Sequence, residues 1–437
     1  MITVRSSGWS KCYDEELQLV TEPLLSVEDL ERFGAISAYS DVFPMSMAGW
    51  WDTDHHPCSV GQTQKVSVVS HKEKSAPVSR DPYTAAEVSA DSHIQTLTDE
   101  EYEAFLSRAQ SLVSIEATVQ WDRVDALHEG RDLFEGSRHL WTDGHYEAVL
   151  TLKSYETHRV PFLWSRGGPV WNERPPASVE RRMVDDLAAY VKKSRSDATF
   201  LRIVASPQAQ CLPCSEAVAY DRTVMLDLKG DEDSDVLARM KKRGRRDVRK
   251  ALREIDQSAI HTYTALSAEE FHPLVEIMNN LGSAEHFATF TGDYYHDFLT
   301  ALAQGDAATL IIYAPEGQSS AWLMMTHAYG LATYYFAAAT PQAKRELAPD
   351  ALVWKMIQVA RERKCHTLDL MGIGSEGAPQ FAHLDTFKTK FAAEPTQVWT
   401  CGEIPISMLR YRLVLRLTEL RDQLARIRTV MRHAPRQ

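Results

Sequence analysis

The sequence lacks any long hydrophobic run, and this absence excludes a membrane-spanning helix. No stretch of roughly 18 apolar residues occurs, which is the length that a helix needs to cross a bilayer. The first residues, MITVRSSGWSKCYDEELQL, contain no apolar core of the kind that signal peptides carry. The composition, 44% hydrophobic and 25% charged, is that of an ordinary globular protein. We therefore expect a cytoplasmic protein.

Cysteine is scarce, with six residues in a chain of 437. Cys211 and Cys214 form a lone CxxC motif, and no second pair or group of histidines stands at the spacing of a zinc site. We expect no metal site and reduced thiols in a loop. A redox function is the less favoured alternative.

Basic residues are concentrated in two segments of an acidic chain. The formal net charge of −12 argues against a general nucleic-acid coat. Residues 238–253 nevertheless contain nine lysines and arginines, and residues 410–432 contain seven arginines. Such segments predict a local contact with a polyanion, namely phosphates, tRNA or anionic lipid. The competing interpretation is a solvated helix face.

A pattern of strands and helices occurs twice along the chain. Two strand patterns, GHYEAVLTLK and RVPFLW, precede a helix pattern, SVERRMVDDLAAYVKKS, and a further strand pattern, ATFLRIVAS. The same order recurs at 321–328, 332–340, 349–363 and 366–372. Paired strands are offset by 173 residues, as from Ala148 to Ala321. This repetition predicts an internal duplication of two α/β units.

The duplication sets the predicted domain boundaries. We expect a first domain at 1–222, a second at 223–400, and a C-terminal strand and helix at 401–437 that packs back on the first domain. Residues 61–97 are rich in Ser, Thr and charge, which predicts a flexible insertion. The C-terminal helix repeats leucine at positions 409, 413, 417 and 420. Packing of these leucines on the first domain is favoured over a peripheral membrane contact.

Each unit has the element order of the second half of a GNAT-type acyltransferase fold. That type carries a glycine-rich R/Q-x-x-G-x-G/A loop whose backbone amides bind the pyrophosphate of coenzyme A. The first unit has RGGPVWNERPPAS at this place and the second has TPQAKRELAPDA, and neither has the required spacing. We therefore expect an acyl donor other than acetyl-CoA.

Six short segments resemble the Fem family of aminoacyl-tRNA-dependent transferases, which build interpeptide bridges in peptidoglycan. They are RGGPVW (166–171), FLRIVASP (200–207), RRDVRKA (245–251), TYYFAAAT (333–340), LDLMGIG (368–374) and FKTKF (387–391). No single segment is specific, and it is their order together with the duplication that carries the resemblance. It implies an α/β protein of two tandem GNAT-like domains, with mixed sheets flanked by helices.

The resemblance also implies an activity, the transfer of an amino acid from aminoacyl-tRNA to an amine of a peptidoglycan precursor. The precursor would be UDP-muramoyl-pentapeptide or lipid II, and no cofactor is implied. By position, Phe387 and Lys388 match the family's catalytic aromatic–lysine pair, in which the lysine stabilises the tetrahedral oxyanion. Tyr335 matches a tyrosine of the muropeptide groove, and a core tyrosine on an apolar strand is the competing interpretation. Phosphates of the carrier or of the tRNA would be contacted by the basic helix, through Arg243, Arg246, Arg249 and Lys250.

Three residues have simpler interpretations beside these. A lone lysine after a loop is commonly a surface lysine lying over a core aromatic, and this is the alternative for Lys388. Asp369 is expected to make a structural hydrogen bond to the glycine loop. Arg166, which precedes two glycines, is expected to be a turn residue that packs the domains together.

The sequence departs from the family pattern in two places. Family members often place an arginine four residues before a tyrosine to hold the diphosphate, whereas here Phe290 or Thr291 precedes Tyr294 or Tyr295. We retain Tyr294 as a substrate-binding candidate. The final motif reads FKTKFAA where FKxGFG is usual. Three alternatives stay open: tRNA-dependent transfer to a small natural-product scaffold, an acyl-CoA N-acyltransferase, and a non-catalytic scaffold.

Overall fold

The computed structural model describes residues 93–133, 136–157, 160–214, 219–285, 287–290 and 293–417. Residues 61–92 of the predicted insertion lie outside this part of the chain. The last residues of that segment, His93–Thr96, form a strand that pairs with another strand, so the predicted loop is wrong there.

The first half alternates short strands with helices. Its strands are β1 (His93–Thr96), β2 (Arg131–Asp132), β3 (Arg138–Thr142), β4 (Glu147–Thr151), β5 (Lys153–Thr157), β6 (Val160–Trp164), β7 (Val170–Trp171), β8 (Phe200–Ala205) and β9 (Leu212–Pro213). Its helices are α1 (Asp99–Arg108), α2 (Trp121–Asp125) and α3 (Ala177–Ser194), with 3-10 turns at Ile115–Ala117 and Pro207–Ala209. Helix α1 begins at Thr98, whose hydroxyl accepts the Glu101 N–H while the Glu101 carboxylate accepts the Thr98 N–H.

The second half has longer strands and more helices. Its strands are β10 (Arg222–Asp227), β11 (Ile260–Tyr263), β12 (Ala308–Tyr313), β13 (Ala321–Ala328), β14 (Leu331–Ala339), β15 (Thr367–Gly372), β16 (Thr396–Gln397) and β17 (Thr400–Pro405). Its helices are α4 (Asp233–Arg239), α5 (Lys242–Glu254), α6 (Ala268–Glu285), α7 (Tyr294–Ala303), α8 (Pro341–Arg345), α9 (Ala348–Glu362) and α10 (Asp385–Lys388). Shorter 3-10 turns lie at Gln257–Ala259, Pro315–Gly317 and Pro379–Leu384.

The duplication predicted from the sequence is visible in the strand pairing, but the counterpart of β13 is β5 and not the predicted strand around Ala148, which is β4 of a different sheet. In the second half, β13 and β14 are antiparallel, helix α9 crosses the sheet, and β15 returns parallel to β14. In the first half, β5 and β6 are antiparallel, helix α3 crosses, and β8 returns parallel to β6. The sheets have the orders β11-β12-β13-β14-β15-β10-β16 and β2-β5-β6-β8-β17-β9, and a smaller sheet is formed by β1-β3-β4-β7.

The seven-stranded sheet buries a separate core on each face. One core contains Val236 of α4, Val248 of α5 and Trp354 of α9. The other contains side chains of α6 and α7 together with Ile115 and Trp121 from the first half. The two halves of the protein therefore share a hydrophobic core on one face of this sheet only.

Strand β17 returns to the first half after the second half is complete. It pairs antiparallel with β8, and the buried Arg202 guanidinium of β8 contacts Glu403 at 2.7 Å. The next helix begins at residue 408, and Tyr411 on it donates a hydrogen bond to Glu403 at 2.6 Å. Of the predicted leucines, Leu409 is 82% exposed and Leu413 and Leu417 are 41% exposed, while Leu420 lies outside the described residues. Leu415 packs instead, against the core that contains Tyr155 and Phe200 of the first half. Among the described helices, none combines the length and hydropathy that a bilayer crossing requires.

The cysteine prediction needs correction. Cys214 forms a disulfide with Cys401, 187 residues along the chain, and so joins the loop after β9 to strand β17. Its CxxC neighbour, Cys211, is a free thiol, and burial raises its pKa to about 12. A thiol with so high a pKa carries almost no thiolate at neutral pH and is a poor nucleophile.

Replacing Glu403 by alanine should destabilise the protein strongly, because it removes the buried carboxylate that Arg202 and Tyr411 both contact. The expected loss is about 3–5 kcal/mol in the free energy of unfolding, measured by urea titration. Arg108→Ala is the matched control, since it removes the solvent-exposed ion pair with Glu147 and should cost less than about 1 kcal/mol. Equal losses in the two variants would contradict this role of Glu403.

Candidate active site

Lys388 lies in a segment that folds back on the end of strand β15. That strand ends at Gly372, and helix α10 ends at Lys388, whose ammonium donates a hydrogen bond to the Gly372 carbonyl at 2.9 Å. Lys388 is only 6% exposed. The alternative of a surface lysine is therefore wrong.

Two carboxylates hold the glycine loop around Lys388. Asp369 accepts hydrogen bonds from the Thr223 hydroxyl and from the Met371 N–H, the latter at 2.7 Å, which is the structural role expected for it. Asp385 accepts the Gly374 N–H at 2.7 Å. Met371 has a φ of 61°, and this left-handed residue lies where β15 bulges against β10. The bulge and the two carboxylates together shape the loop that Lys388 contacts.

The environment of Lys388 lowers its pKa toward neutral pH. Burial lowers its pKa to about 8, although the nearby Asp369 and Asp385 carboxylates act in the opposite direction. Burial also raises the pKa of Asp369. At pH 7 most of the Lys388 population is still an ammonium, which can donate to a developing oxyanion in a largely water-free place.

A second lysine, Lys390, fixes the turn that carries Lys388. Its buried ammonium contacts Asp350 at 2.5 Å and Asp247 at 3.5 Å. Its carbonyl accepts the Lys241 N–H at 3.1 Å, and Gly244 packs so closely on that carbonyl that no Cβ would fit. Lys390 stands where the family pattern has glycine, and here it joins α5 and α9 to the candidate catalytic segment.

The basic helix α5 starts beside this turn. Its first residue follows Lys241, and the predicted phosphate-binding residues are exposed along it, namely Arg243, Arg246, Arg249 and Lys250. Arg246 contacts Asp247 at 2.8 Å and Arg243 contacts the same carboxylate at 3.5 Å, while Lys250 contacts Glu254 at 3.6 Å. The positive charge of Arg243 and Arg246 is thus partly compensated, and that of Arg249 is available to a ligand.

Tyr335 lies on the opposite face of the sheet from α5. Strand β14 bulges there, because Met324 and Met325 on β13 oppose Phe336 and Tyr334, and Tyr335 is the additional residue. The bulge turns Tyr335 and Phe336 to the same face, with ring centroids 5.0 Å apart. Phe387 packs elsewhere, against the core that contains α5, with its ring 5.4 Å from that of Phe391.

Tyr294 belongs to the same aromatic group as Tyr335. It is the first residue of α7 and stacks on Phe290 with ring centroids 3.8 Å apart. Phe298 lies between them, 6.2 Å from Tyr294 and 4.9 Å from Tyr335. The structure therefore divides the predicted site: the basic residues lie on one face of the sheet and the two tyrosines on the other.

Glu116 is a functional candidate that sequence reasoning missed. Its carboxylate accepts a hydrogen bond from the Tyr335 hydroxyl at 3.0 Å, across 219 residues of sequence. Burial raises the pKa of Tyr220, and the charges of Asp369 and Glu116 raise it further. Tyr220 in turn packs against Gly372, whose carbonyl accepts the hydrogen bond of Lys388. No local motif distinguishes it, because it belongs to a 3-10 turn of three residues.

Arg166 has a more specific position than a turn residue requires. Its guanidinium lies over the ring of Trp164 at 4.4 Å and over that of Trp121 at 5.6 Å. Burial alone would lower its pKa, but nearby oxygen-bearing groups, among them Tyr335 and Glu116, outweigh burial and raise it. Arg166 is therefore a permanent cation. It lies where Trp121 and Glu116 of the first half meet Tyr335 of the second half, a boundary that we call the seam.

A pocket of about 360 Å³ opens on the first-half side of this seam. It is lined mainly by charged groups that pair with one another, including Lys153 with Asp125 at 2.6 Å and Arg131 with Asp125 at 3.4 Å. His128 also lines it, and burial lowers the pKa of this imidazole to about 4. No group of His, Cys, Asp or Glu in the described part of the chain is arranged to hold a metal ion.

Comparisons with known proteins agree with this architecture. Residues 242–383 match the family model of the acetyltransferase (GNAT) domain. The chain is similar to FemX, with a TM-score of 0.59 and 14% identity over 74% of this chain and 99% of that one. It is also similar to L-PGS from Bacillus licheniformis (TM-score 0.41, 12% identity, 74% and 98% covered) and to a tandem GNAT protein from the clavulanic acid biosynthesis pathway (0.44, 11%, 72% and 99%). No curated protein matches the sequence.

The fold is therefore a tandem GNAT-type acyltransferase fold, as the duplication predicted. More particularly, it is the fold of FemX, which this chain covers almost completely. The resemblance to the Fem family found in the sequence is confirmed at the level of the fold. The predicted roles of individual residues stay predictions.

The activity of the protein should fall as the pH rises through about 8, because the ammonium form of Lys388 is the one that can donate to an oxyanion. NMR of the reductively methylated protein should show a Lys388 signal that titrates there, assigned by its loss in Lys388→Arg. Asp369→Asn removes a charge that favours the ammonium and should move the titration to lower pH. A Lys388 signal that titrates near 10.5, the ordinary lysine value, would contradict this assignment.

Proposed function

We propose that this protein transfers an aminoacyl group from aminoacyl-tRNA to an amine of a peptidoglycan precursor. The observation that carries the proposal is the buried Lys388 ammonium, held on the Gly372 carbonyl at the end of β15. An amine that attacks an ester carbonyl generates an oxyanion. A preorganised cation at that place commonly contributes about 10²–10³ in rate.

The two loops that would bind coenzyme A pyrophosphate are unsuited to it, which favours another acyl donor. After β14, the chain enters α8 directly, with the Thr340 hydroxyl accepting the Ala343 N–H, and no glycine occurs from residue 340 to 348. In the first half, Gly167 packs against the Ser114 side chain and Gly168 against the Ser165 side chain, and the two glycines do not have the spacing of a pyrophosphate loop. An aminoacyl-tRNA carries no pyrophosphate and therefore needs no such loop.

A second candidate acceptor is the amine of a small natural-product scaffold. It is favoured by Phe290, which stands near the place of the family's diphosphate-binding arginine and stacks on Tyr294 at 3.8 Å. An aromatic pair offers no charge to a diphosphate, so a UDP-linked acceptor would have to be held elsewhere. A small amine would not need that contact.

Lys388→Ala should lower the transfer rate by about 10²–10³ if this ammonium stabilises the oxyanion. Purified protein would be incubated with tRNA charged with labelled amino acids, and with UDP-muramoyl-pentapeptide or lipid II as separate acceptors. Mass spectrometry would identify the acceptor that gains a residue. Lys344→Ala is the control, because Lys344 is an exposed lysine paired with Glu285 and should not affect the rate.

The outcomes of this assay separate the candidates. A Lys388-dependent adduct on either precursor supports bridge formation and names both the donor and the carrier. Cleavage of the ester without an adduct on either precursor favours a small-molecule acceptor. Absence of any effect on charged tRNA would argue against the proposal as a whole.

Charge reversal at Arg249 and Lys250 should raise KM for the phosphate-bearing substrate, because both side chains are exposed on α5. The slope of log KM against log salt should change by about 2, one for each lost phosphate contact. These two positions avoid Arg243 and Arg246, which stabilise the buried Asp247. Lys192→Glu with Lys193→Glu, an equal charge change on exposed positions of α3, is the matched control. An identical KM and salt slope in the two double variants would contradict phosphate binding by α5.

A further inference from the structure

Glu116 has hydrogen-bonding capacity that its neighbours do not use. The Tyr335 hydroxyl donates to Oε1 at 3.0 Å, and no described residue donates to the other carboxylate oxygen. No lysine or arginine of the described chain forms a salt bridge with it. A carboxylate that is oriented by one donor and keeps one oxygen unoccupied is suited to bind a cation, including an ammonium.

The Arg166 guanidinium is a complementary cation at the same seam. In the described part of the chain it forms no hydrogen bond and no salt bridge, and its visible contacts are with the faces of Trp121 and Trp164. Glu116 is near enough to raise the pKa of Arg166 and yet the two side chains are not in ion-pair contact. A ligand that carries both charges would complement this unpaired cation and anion.

Trp121 supplies an independent sign that a ligand belongs here. It is 2% exposed, and its indole N–H has no hydrogen-bond acceptor among the described residues. Its ring lies 5.9 Å from that of Tyr335 and also contacts the Arg166 guanidinium. A buried donor without an acceptor is costly in a folded protein, and a ligand carboxylate would satisfy it.

The charge of Glu116 also acts on residues beside Lys388. Burial raises the pKa of Asp369, and Glu116 contributes to the same shift, as it does for Tyr220. Asp369 in turn favours the ammonium of Lys388. Tyr220, whose pKa the Glu116 charge also raises, packs directly against Gly372, and the Gly372 carbonyl accepts the hydrogen bond of Lys388.

We propose that Glu116, Arg166 and Trp121 bind an acceptor that carries its amine beside a carboxylate, as an amino-acid zwitterion does. The free oxygen of Glu116 binds the ammonium and removes one proton from it. Arg166 and the Trp121 indole N–H bind the carboxylate. This inference rests on the proposed aminoacyl transfer, and it names the chemical class of the acceptor.

The reaction balances with these groups alone. Glu116 takes one proton from the bound ammonium, which leaves a neutral amine with a lone pair. The amine nitrogen then forms a bond to the ester carbonyl carbon, and Lys388 stabilises the oxyanion. The bond from that carbon to the ribose oxygen breaks, and the oxygen leaves with a second proton from the nitrogen. Glu116 finally returns its proton to solvent.

Binding can be tested without any donor substrate. The probes are L-alanine, L-alaninamide, which lacks the carboxylate, and L-lactate, which lacks the amine. In protein with ¹⁵N-labelled tryptophan, L-alanine should shift the Trp121 indole signal, which is assigned by its loss in Trp121→Phe. Arg166→Met should reduce the affinity for alanine about tenfold or more, to that for alaninamide, and Glu116→Gln should reduce it to that for lactate. Equal affinity for the three probes in wild-type protein would overturn the proposal.

Kinetics distinguish the role of Glu116 from a structural effect. Hydroxylamine is uncharged at neutral pH, so it can attack the aminoacyl ester without losing a proton to Glu116. Glu116→Gln should lower transfer to L-alanine about 10²–10⁴-fold and should lower Lys388-dependent hydroxylaminolysis much less. Glu116→Asp, which retains the base on a shorter side chain, should recover part of the transfer.

The two hypotheses can fail separately. Loss of both reactions in Glu116→Gln would show a structural role and overturn the assignment of Glu116 as the amine-binding base. If aminoacyl-tRNA undergoes no Lys388-dependent reaction with hydroxylamine, the proposed function fails. The binding experiment then decides on the zwitterion site by itself.

Discussion

The buried ammonium of Lys390 is the interaction on which the candidate active site depends. The ammonium contacts Asp350 of α9 and Asp247 of α5, and the backbone carbonyl of Lys390 accepts the Lys241 N–H. Three elements that are distant in sequence thereby meet at one turn, and Lys388 is two residues away on the same turn. A buried charge must be paired to be tolerated, so this arrangement is specific to one geometry. The position of the candidate catalytic ammonium follows from that geometry.

The two faces of the seven-stranded sheet carry different kinds of residue. The face that carries α5 presents exposed basic residues, and the opposite face presents aromatic side chains and contacts the first half through Trp121. The bulge in β14 directs two successive aromatic residues, Tyr335 and Phe336, to the latter face. The exposed basic residues and the aromatic group therefore lie on opposite faces of the sheet whose strand β15 ends at the Lys388 loop.

Local patterns in the sequence were sufficient for the repeated unit of two strands, a helix and a third strand in the second half, and they indicated that this unit is duplicated. The strand 321–328 has the predicted bounds, and the cap at Thr98 follows from a hydroxyl residue placed three before a glutamate. Contacts between distant residues were not accessible in this way. Glu116 meets Tyr335 across 219 residues, and Cys214 meets Cys401 across 187. Such pairs are set by tertiary packing, which a single sequence does not encode as a spacing.

Lys390 shows the same limit within a recognised motif. Its presence was visible as a departure from the family pattern, but its partners Asp247 and Asp350 lie on two other helices. The sequence also did not predict on which face of the sheet Tyr335 lies, because this depends on a bulge of one residue in β14. A shift of one residue in a strand moves a side chain to the other face.

The return of β17 to the first half has a consequence for biosynthesis. The central strands of the first half's six-stranded sheet are β6 and β8, and one side of β8 is completed only by residues 400–405. A ribosome must therefore synthesise about 195 residues beyond β8 before that edge is covered. Until then, an unpaired edge strand is exposed, and such edges are prone to pair with other chains. The nascent protein thus has a defined period of vulnerability that ends only when β17 emerges.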